Sequence, residues 1–134
     1  MPAPLIYHIA PESEFRSGLR RTTYRPARLR ADGFVHCASR PSVLAVANDY
    51  FADVIEPVWL LRLASERLRA QVVFEAAAPL SDATTHLRTA TRFPHVYGPL
   101  DRAAITGVAR LTRRRGRFVW PRRFMRLETV LSRL

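Results

Sequence analysis

Three of the four histidines of this chain lie in short apolar segments that also carry aromatic residues. These segments are residues 5–10 (LIYHIA), 33–39 (GFVHCAS) and 93–100 (FPHVYGPL). Their composition favours β-strands, and histidine exchanges a proton near neutral pH. We therefore expect His8, His36 and His95 to converge on one cleft as acid–base groups. The alternative is that each histidine is a separate, hydrogen-bonded residue of the core.

The composition limits the classes of protein to consider. A chain of 134 residues that is 48% hydrophobic suits one globular domain with a sizeable core. Its single cysteine excludes an internal disulfide and is typical of a reducing compartment, so we expect a cytoplasmic protein. No apolar run approaches the ~20 residues of a membrane span. There is no CxxC or HExxH spacing, and we expect no metal site.

Positive charge is concentrated at the C-terminal end. All 22 basic residues are arginine, against 11 acidic residues, and residues 103–134 contain nine arginines and one acid, Glu128. This asymmetry divides the chain into a core domain, residues 1–112, and a basic extension, residues 113–134. The extension interleaves arginines with aromatic residues, a pattern also found in nucleic-acid grooves.

The end of the extension has a helical pattern. From Pro121 onward, Phe124, Leu127, Leu131 and Leu134 form one apolar stripe with arginines outside it. The pattern predicts a helix that packs on its own domain or on a second subunit, giving a homodimer. Binding of nucleic acid, or of an anionic membrane surface, is the alternative.

The remaining elements follow from periodicity and from glycine and proline breakers. We predict a helix from Pro11 to Gly18, a loop over residues 19–32, a helix over 40–51 and a mobile lid over 76–94. The predicted strands are residues 5–10, 33–38, 58–63, 71–75, 95–100 and 105–112. Residues 58–63 are nearly all apolar, which indicates a central strand. The fold class is α+β: a compact arrangement of mixed, mainly antiparallel sheets with two or three flanking helices.

Several motifs together indicate a family. Ile6-Tyr7-His8-Ile9, Tyr24-Arg25-Pro26, GFVHC, the Val46–Phe51 region, Val73-Phe74-Glu75 and FPHVYGPL occur in this order. The pattern resembles the bacterial family called domain of unknown function 952, over residues 5 to about 110. This resemblance implies a fold similar to ADP-ribosyltransferases and the related RNA 2′-phosphotransferases.

The resemblance also implies roles for single residues. His8, after the aromatic Tyr7, would bind the hydroxyls of a ribose, and His36 would face the same ligand. Glu75, or alternatively His95, would lie near the reacting ribose, and a carboxylate at that position would stabilise positive charge on C1′. The catalytic candidates are thus His8, His36, Glu75 and His95, and the substrate-binding candidates are Tyr7, Tyr24, Asn48 and Tyr97.

The sequence does not identify the ligand. Ile9-Ala10 follows His8 where typical ADP-ribosyltransferases have Gly-Thr or Gly-Ser. NAD is therefore one substrate to consider, beside a phosphorylated nucleotide or another small metabolite, and no cofactor is assigned. We expect an enzyme that transfers a glycosyl, ADP-ribosyl or phosphoryl group in a histidine-lined cleft. The alternative is a non-catalytic module that binds a ligand or nucleic acid with its arginine-rich tail.

Overall fold

The computed structural model describes residues 3–76 and 91–134. Within these ranges the chain forms ten strands: β1 Leu5–Pro11, β2 Thr23–Tyr24, β3 Val35–His36, β4 Ala38–Ser39, β5 Val58–Ala64, β6 Val72–Ala76, β7 Arg92–Val96, β8 Leu100–Asp101, β9 Ile105–Arg114 and β10 Arg117–Val119. The α-helices of the same ranges are α1 Glu12–Gly18, α2 Leu29–Asp32, α3 Arg40–Tyr50 and α4 Leu127–Leu131. None of these described helices has the length and apolar character needed to cross a membrane.

The strands form three antiparallel sheets. The largest has the order β10-β9-β5-β1-β4, the second has the order β3-β7-β6, and β2 pairs with β8. The α+β class and the mainly antiparallel pairing are therefore confirmed. The described residues contain four α-helices instead of two or three, because α2 lies in the predicted loop over residues 19–32.

The core lies on both faces of the largest sheet. Strand β5 is flanked by β1 and β9, as its apolar sequence predicted. Successive side chains of a strand point to opposite faces. Accordingly Ile6 belongs to one buried cluster, with Phe15 and Leu61, whereas Tyr7 belongs to the other, with Val43. Burial on both faces explains why β1 is almost entirely apolar.

The segment around Cys37 departs from the sequence prediction. Residues 33–38 were expected to form one strand, but β3 pairs with β7 and, one residue later, β4 pairs with β1. Between them the backbone N–H of Cys37 donates to the carbonyl of Pro94 at 3.1 Å. The chain therefore changes sheets at Cys37, which periodicity alone does not reveal.

The C-terminal extension is part of the same architecture. Strand β9 continues to Arg114, past the predicted boundary at residue 112, and β10 extends the largest sheet. A tight turn at Arg115 (φ 52°) and Gly116 (φ 78°) joins the two strands. The basic hairpin thus continues the sheet of the domain.

The predicted helix of the extension is shorter than its apolar stripe. The backbone of Met125 exchanges hydrogen bonds of 2.7 and 2.8 Å with Val108, so this part of the chain is extended. Helix α4 begins only at Leu127, and its residues Leu127 and Val130 are buried. Both side chains belong to the core cluster of their own domain.

The predicted lid falls mainly outside the described residues. Residues 77–90 are not among them. Residues 92–94 belong to β7, in the middle of the three-stranded sheet.

Candidate active site

A cavity of about 340 Å³ lies where the chain passes from the three-stranded sheet to the largest sheet. Strand β4 pairs with β1 only at Ile6 and Tyr7, so this pairing ends before His8. The cavity wall includes residues of β1, β3, β4 and β7. His8, His36 and His95 all line it. The three histidines that the sequence singled out therefore share one cavity.

The register of the three-stranded sheet brings two of these histidines together. His36 of β3 is directly opposite His95 of β7, and the centroids of their rings are 5.6 Å apart. Directly opposed residues of antiparallel strands project from the same face. Phe34 lies two residues before His36 and stacks on His95, with centroids 4.1 Å apart. The result is one face of imidazole and aromatic rings.

The carboxylate of Glu75 forms a hydrogen bond with the ring of His95. The Nδ1 atom of His95 lies 2.9 Å from Oε1 of Glu75, and the hydroxyl of Tyr97 donates to the same oxygen. These two hydrogen bonds lower the pKa of Glu75, so the carboxylate is ionised near neutral pH. With Nδ1–H donating to Glu75, neutral His95 has its lone pair on Nε2. Glu75 is therefore placed to fix the orientation of His95.

His36 has a carboxylate partner of its own. Its Nε2 atom lies 2.8 Å from Oδ2 of Asp32, and Nε of Arg28 donates to that oxygen at 3.0 Å. These groups form a chain from guanidinium to carboxylate to imidazole. Burial lowers the pKa of His36, and the hydrogen bond to Asp32 opposes this effect. His36 can therefore be neutral near pH 7 with its lone pair on Nδ1.

His8 is also buried, with 8% of its surface exposed. Its Nδ1–H donates to the backbone carbonyl of His36 at 2.8 Å, which leaves Nε2 as an acceptor. Burial lowers the pKa of His8 to about 4. His8 is therefore neutral at physiological pH and suited to accepting a hydrogen bond from a ligand hydroxyl.

This shift predicts that the protein loses stability in mild acid. Since the pKa of His8 falls from 6.5 in a solvated chain to about 4 in the fold, the unfolded state takes up the proton first as the pH decreases. His8 should account for a decrease of about 3 kcal/mol in the free energy of unfolding between pH 6.5 and 4. Urea denaturation at several pH values measures this loss. In His8→Asn, whose amide can still donate to the His36 carbonyl, the loss should be much smaller. An equal loss in that variant would contradict the assignment to His8.

The predicted site residues divide into two groups. Tyr7, His8, His36 and His95 line the cavity, and Glu75 and Tyr97 lie behind His95 through their hydrogen bonds. Of the two alternatives for the position facing the ligand, His95 rather than Glu75 is on the wall.

Tyr24 and Asn48 are not on the wall of this cavity. Tyr24 is fully buried and packs on His8, with ring centroids 5.6 Å apart. The side chain of Asn48 accepts from the backbone N–H of Phe118 at 2.8 Å and donates to the Leu44 carbonyl at 3.0 Å. Asn48 therefore holds α3 against β10, and Tyr24 supports His8 from within the core.

Some residues of the site escaped the sequence analysis. Asp32 and Arg28 lie in the segment that was assigned to a loop, and Phe34 and Glu14 also belong to the site. The i, i+4 spacing of Arg28 and Asp32, followed by Gly33, is a signal of a short helix that could have revealed the ion pair. Gly33 ends α2 with φ 81°, a conformation that favours glycine.

Cys37 lies on the wall but is not an accessible nucleophile. Its side chain is buried, and burial raises the pKa of the thiol, so the sulfur is protonated near neutral pH. Cys37 therefore contributes to packing.

The comparisons with known proteins agree with the resemblance in the sequence. The model of the family described as "Protein of unknown function (DUF952)" matches residues 9–108, which confirms the family that the motifs indicated. No curated protein matches the chain.

Solved structures of protein CC0527 from Caulobacter crescentus are similar to this fold. The crystal structure is 26% identical, covers 86% of this chain and 93% of its own, and has a TM-score of 0.69. The crystal structure of a double mutant of CC0527 gives the same values. The solution NMR structure is 26% identical, covers 88% of this chain and 91% of its own, and has a TM-score of 0.64.

Proposed function

Since this chain belongs to the DUF952 family of proteins of unknown function, we propose a function from the site itself. We propose that the protein is an enzyme that cleaves the bond between the ring and the ribose of an NAD-like or other nucleotide substrate. The ribosyl or ADP-ribosyl group then passes to water or another acceptor. The observation that carries this proposal is the pair of carboxylate-bound histidines, His36 and His95, with ring centroids 5.6 Å apart on one cavity wall.

The two histidines are placed to serve as the general base and the general acid of this transfer. One neutral imidazole accepts the proton of the attacking hydroxyl. When the leaving ring is that of a neutral nucleoside, the other imidazole, in its protonated form, delivers a proton to it. The cationic ring of NAD leaves as a neutral molecule and needs no proton. The electron pair of the cleaved bond departs with that ring, and a new C1′–O bond forms. Asp32 and Glu75 hold His36 and His95 by one nitrogen each, which leaves the second nitrogen of each ring for the substrate. His8 is placed to accept from a ribose hydroxyl through Nε2.

The charge around the histidines favours this reaction over phosphoryl transfer. As a glycosidic bond breaks, positive charge develops at C1′, and the nearby carboxylates of Asp32 and Glu75 stabilise it. The same carboxylates would repel a reacting phosphoryl group. We therefore place the phosphates of a nucleotide substrate outside the cavity. The similarity to ADP-ribosyltransferases that the sequence motifs imply agrees with this choice of reaction.

The proposal is tested by incubating the protein with NAD, nucleosides and nucleoside monophosphates, and by following the release of the free ring by liquid chromatography. We expect release from at least one of these compounds, and a raised melting temperature with the same compound because a ligand of the native state stabilises it. The double variant His36→Gln/His95→Asn is the matched control and should release none. Absence of both release and thermal shift across the panel would contradict the proposed function.

A second candidate function rests on the tip of the β9–β10 hairpin. Arg114 is directly opposite Arg117, and both are exposed together with Arg115. Like charges directly opposite each other destabilise a hairpin, and none of the three forms an ion pair within residues 3–76 and 91–134. A polyanion such as nucleic acid would relieve this repulsion.

Oligonucleotide binding with a steep salt dependence is the expected result for that function. Fluorescence anisotropy at increasing salt measures it, with Arg114→Ser/Arg115→Ser/Arg117→Ser as the comparison. Equal binding by this variant would exclude the hairpin as the contact.

A homodimer through α4 is a separate proposal, which the mass of the intact protein in solution tests.

A further inference from the structure

The cavity is locally acidic in a strongly basic protein. The chain carries a net charge of +11. Nevertheless, the described wall has Glu14 as well as Arg28, and the carboxylates of Asp32 and Glu75 lie directly behind its histidines. Three carboxylates thus accompany one guanidinium when the histidines are neutral. A ligand group inside this cavity therefore experiences a field opposite in sign to that of the whole protein.

Glu14 differs from Asp32 and Glu75 because its carboxylate has no hydrogen-bond or ion-pair partner among the described residues. Asp32 binds Arg28 and His36, and Glu75 binds His95. For the carboxylate of Glu14, the part of the chain that the structure describes provides no hydrogen bond or ion pair. Burial raises the pKa of Glu14, with Arg28 opposing, because the charged form has lost water without gaining a close partner. Such a group gains most from a ligand that donates N–H bonds or carries positive charge.

The rest of the wall suits a flat ring. Its aromatic residues come from four different parts of the chain: Tyr7, Phe34, Tyr50, Phe51 and Phe93. Aromatic faces attract cations and stack on planar rings. A volume of about 340 Å³ is at the lower end of the range for small-molecule sites. This space suits a ring with its sugar better than a whole dinucleotide.

We infer that Glu14 is a specificity-determining residue, whose carboxylate makes the cavity bind a cationic or N–H-bearing heteroaromatic ring and reject an anionic one. The inference deepens the proposed function and rests on it for the placement of the ring end of the substrate in this cavity. Glu14 binds the edge of the ring while the aromatic side chains contact its faces. The phosphates stay at the mouth, where the net positive charge of the protein attracts them.

Three pyridine compounds of similar shape and different charge test the inference: the cation 1-methylnicotinamide, neutral nicotinamide and the anion nicotinate. We expect calorimetry on the full-length protein at pH 7.5 to rank them in that order. The cation should bind at least about tenfold more tightly than the anion, a difference of about 1.4 kcal/mol. In Glu14→Gln this ratio should fall to about twofold or less. Glu66→Gln, which removes an exposed carboxylate that is not on the wall, should keep the full ratio.

The outcomes separate this inference from the proposed function. Equal affinities for the cation and the anion, tighter binding of nicotinate, or an unchanged ratio in Glu14→Gln would each overturn the role of Glu14. If the enzyme still released a ring from a nucleotide, the proposed function would survive that result. Failure of all three pyridines to bind would overturn the inference, and failure of the nucleotide panel as well would overturn both. Glu14→Gln should melt at or above the temperature of the wild type, because it removes a desolvated charge.

Discussion

Replacing His95 with asparagine should lower the rate of ring release by a factor of about 10² to 10⁴, the usual contribution of a general acid or base. The asparagine amide can still donate to Glu75 as the His95 Nδ1–H does. What disappears is Nε2, the nitrogen left for the substrate. His36→Gln should have an effect of the same order, since a glutamine amide can reach Asp32 while the Nδ1 lone pair is lost. Steady-state kinetics measures both, and circular dichroism confirms that the variants are folded.

Glu75 and its partner Tyr97 should show a different signature, because they act through His95. Glu75→Gln exchanges an ionised acceptor for a neutral amide beside His95, so we expect a decrease of about 10- to 100-fold together with a shifted pH profile. Tyr97→Phe removes one of the two bonds to Glu75 and should have a smaller effect in the same direction. Unchanged kinetics in both histidine variants would show that the paired imidazoles do no acid–base chemistry.

The strands that carry the histidines could be predicted from the sequence, because the residues next to each histidine favour an extended backbone. Apolar and aromatic residues around His8, His36 and His95 predict extended segments, and the structure places all three on strands. Helix α3 is equally local: its apolar stripe predicted residues 40–51, and it spans Arg40–Tyr50. The pairing of β3 with β7, a contact between residues about 60 positions apart, is what brings His36 and His95 together.

The partners of the histidines were harder to predict because they depend on contacts that leave no periodic pattern. Asp32 reaches His36 only because a four-residue helix ends at Gly33 and turns the chain back. Asn48 is a substrate-binding candidate by sequence, with bonding to the backbone as the alternative, and its side chain binds the backbone of Phe118, 70 residues away. A side-chain amide serves either purpose, and only the three-dimensional placement of β10 decides between them.

Removing residues 118–134 should prevent the domain from folding. The deletion takes away Phe118, Leu127 and Val130, each at most 4% exposed. Truncating one such side chain to alanine costs about 2 to 5 kcal/mol, whereas the whole stability of a domain is about 5 to 15 kcal/mol. It also leaves the Asn48 amide without the backbone of Phe118. We expect aggregation on expression, or a chain without a cooperative thermal transition by circular dichroism.

The hairpin variant Arg114→Ser/Arg115→Ser/Arg117→Ser is the control for this deletion. It removes three exposed positive charges from the same extension without touching the buried residues, so it should stay folded and melt at or above the temperature of the wild type. The like-charge contact between Arg114 and Arg117 disappears with it. If the extension were a separate nucleic-acid arm, the deletion would instead leave a soluble, monomeric and fully stable domain that had lost only oligonucleotide binding. That outcome would contradict the packing of residues 118–134 as part of the core, because a fold cannot lose three of its buried anchors at no cost in stability.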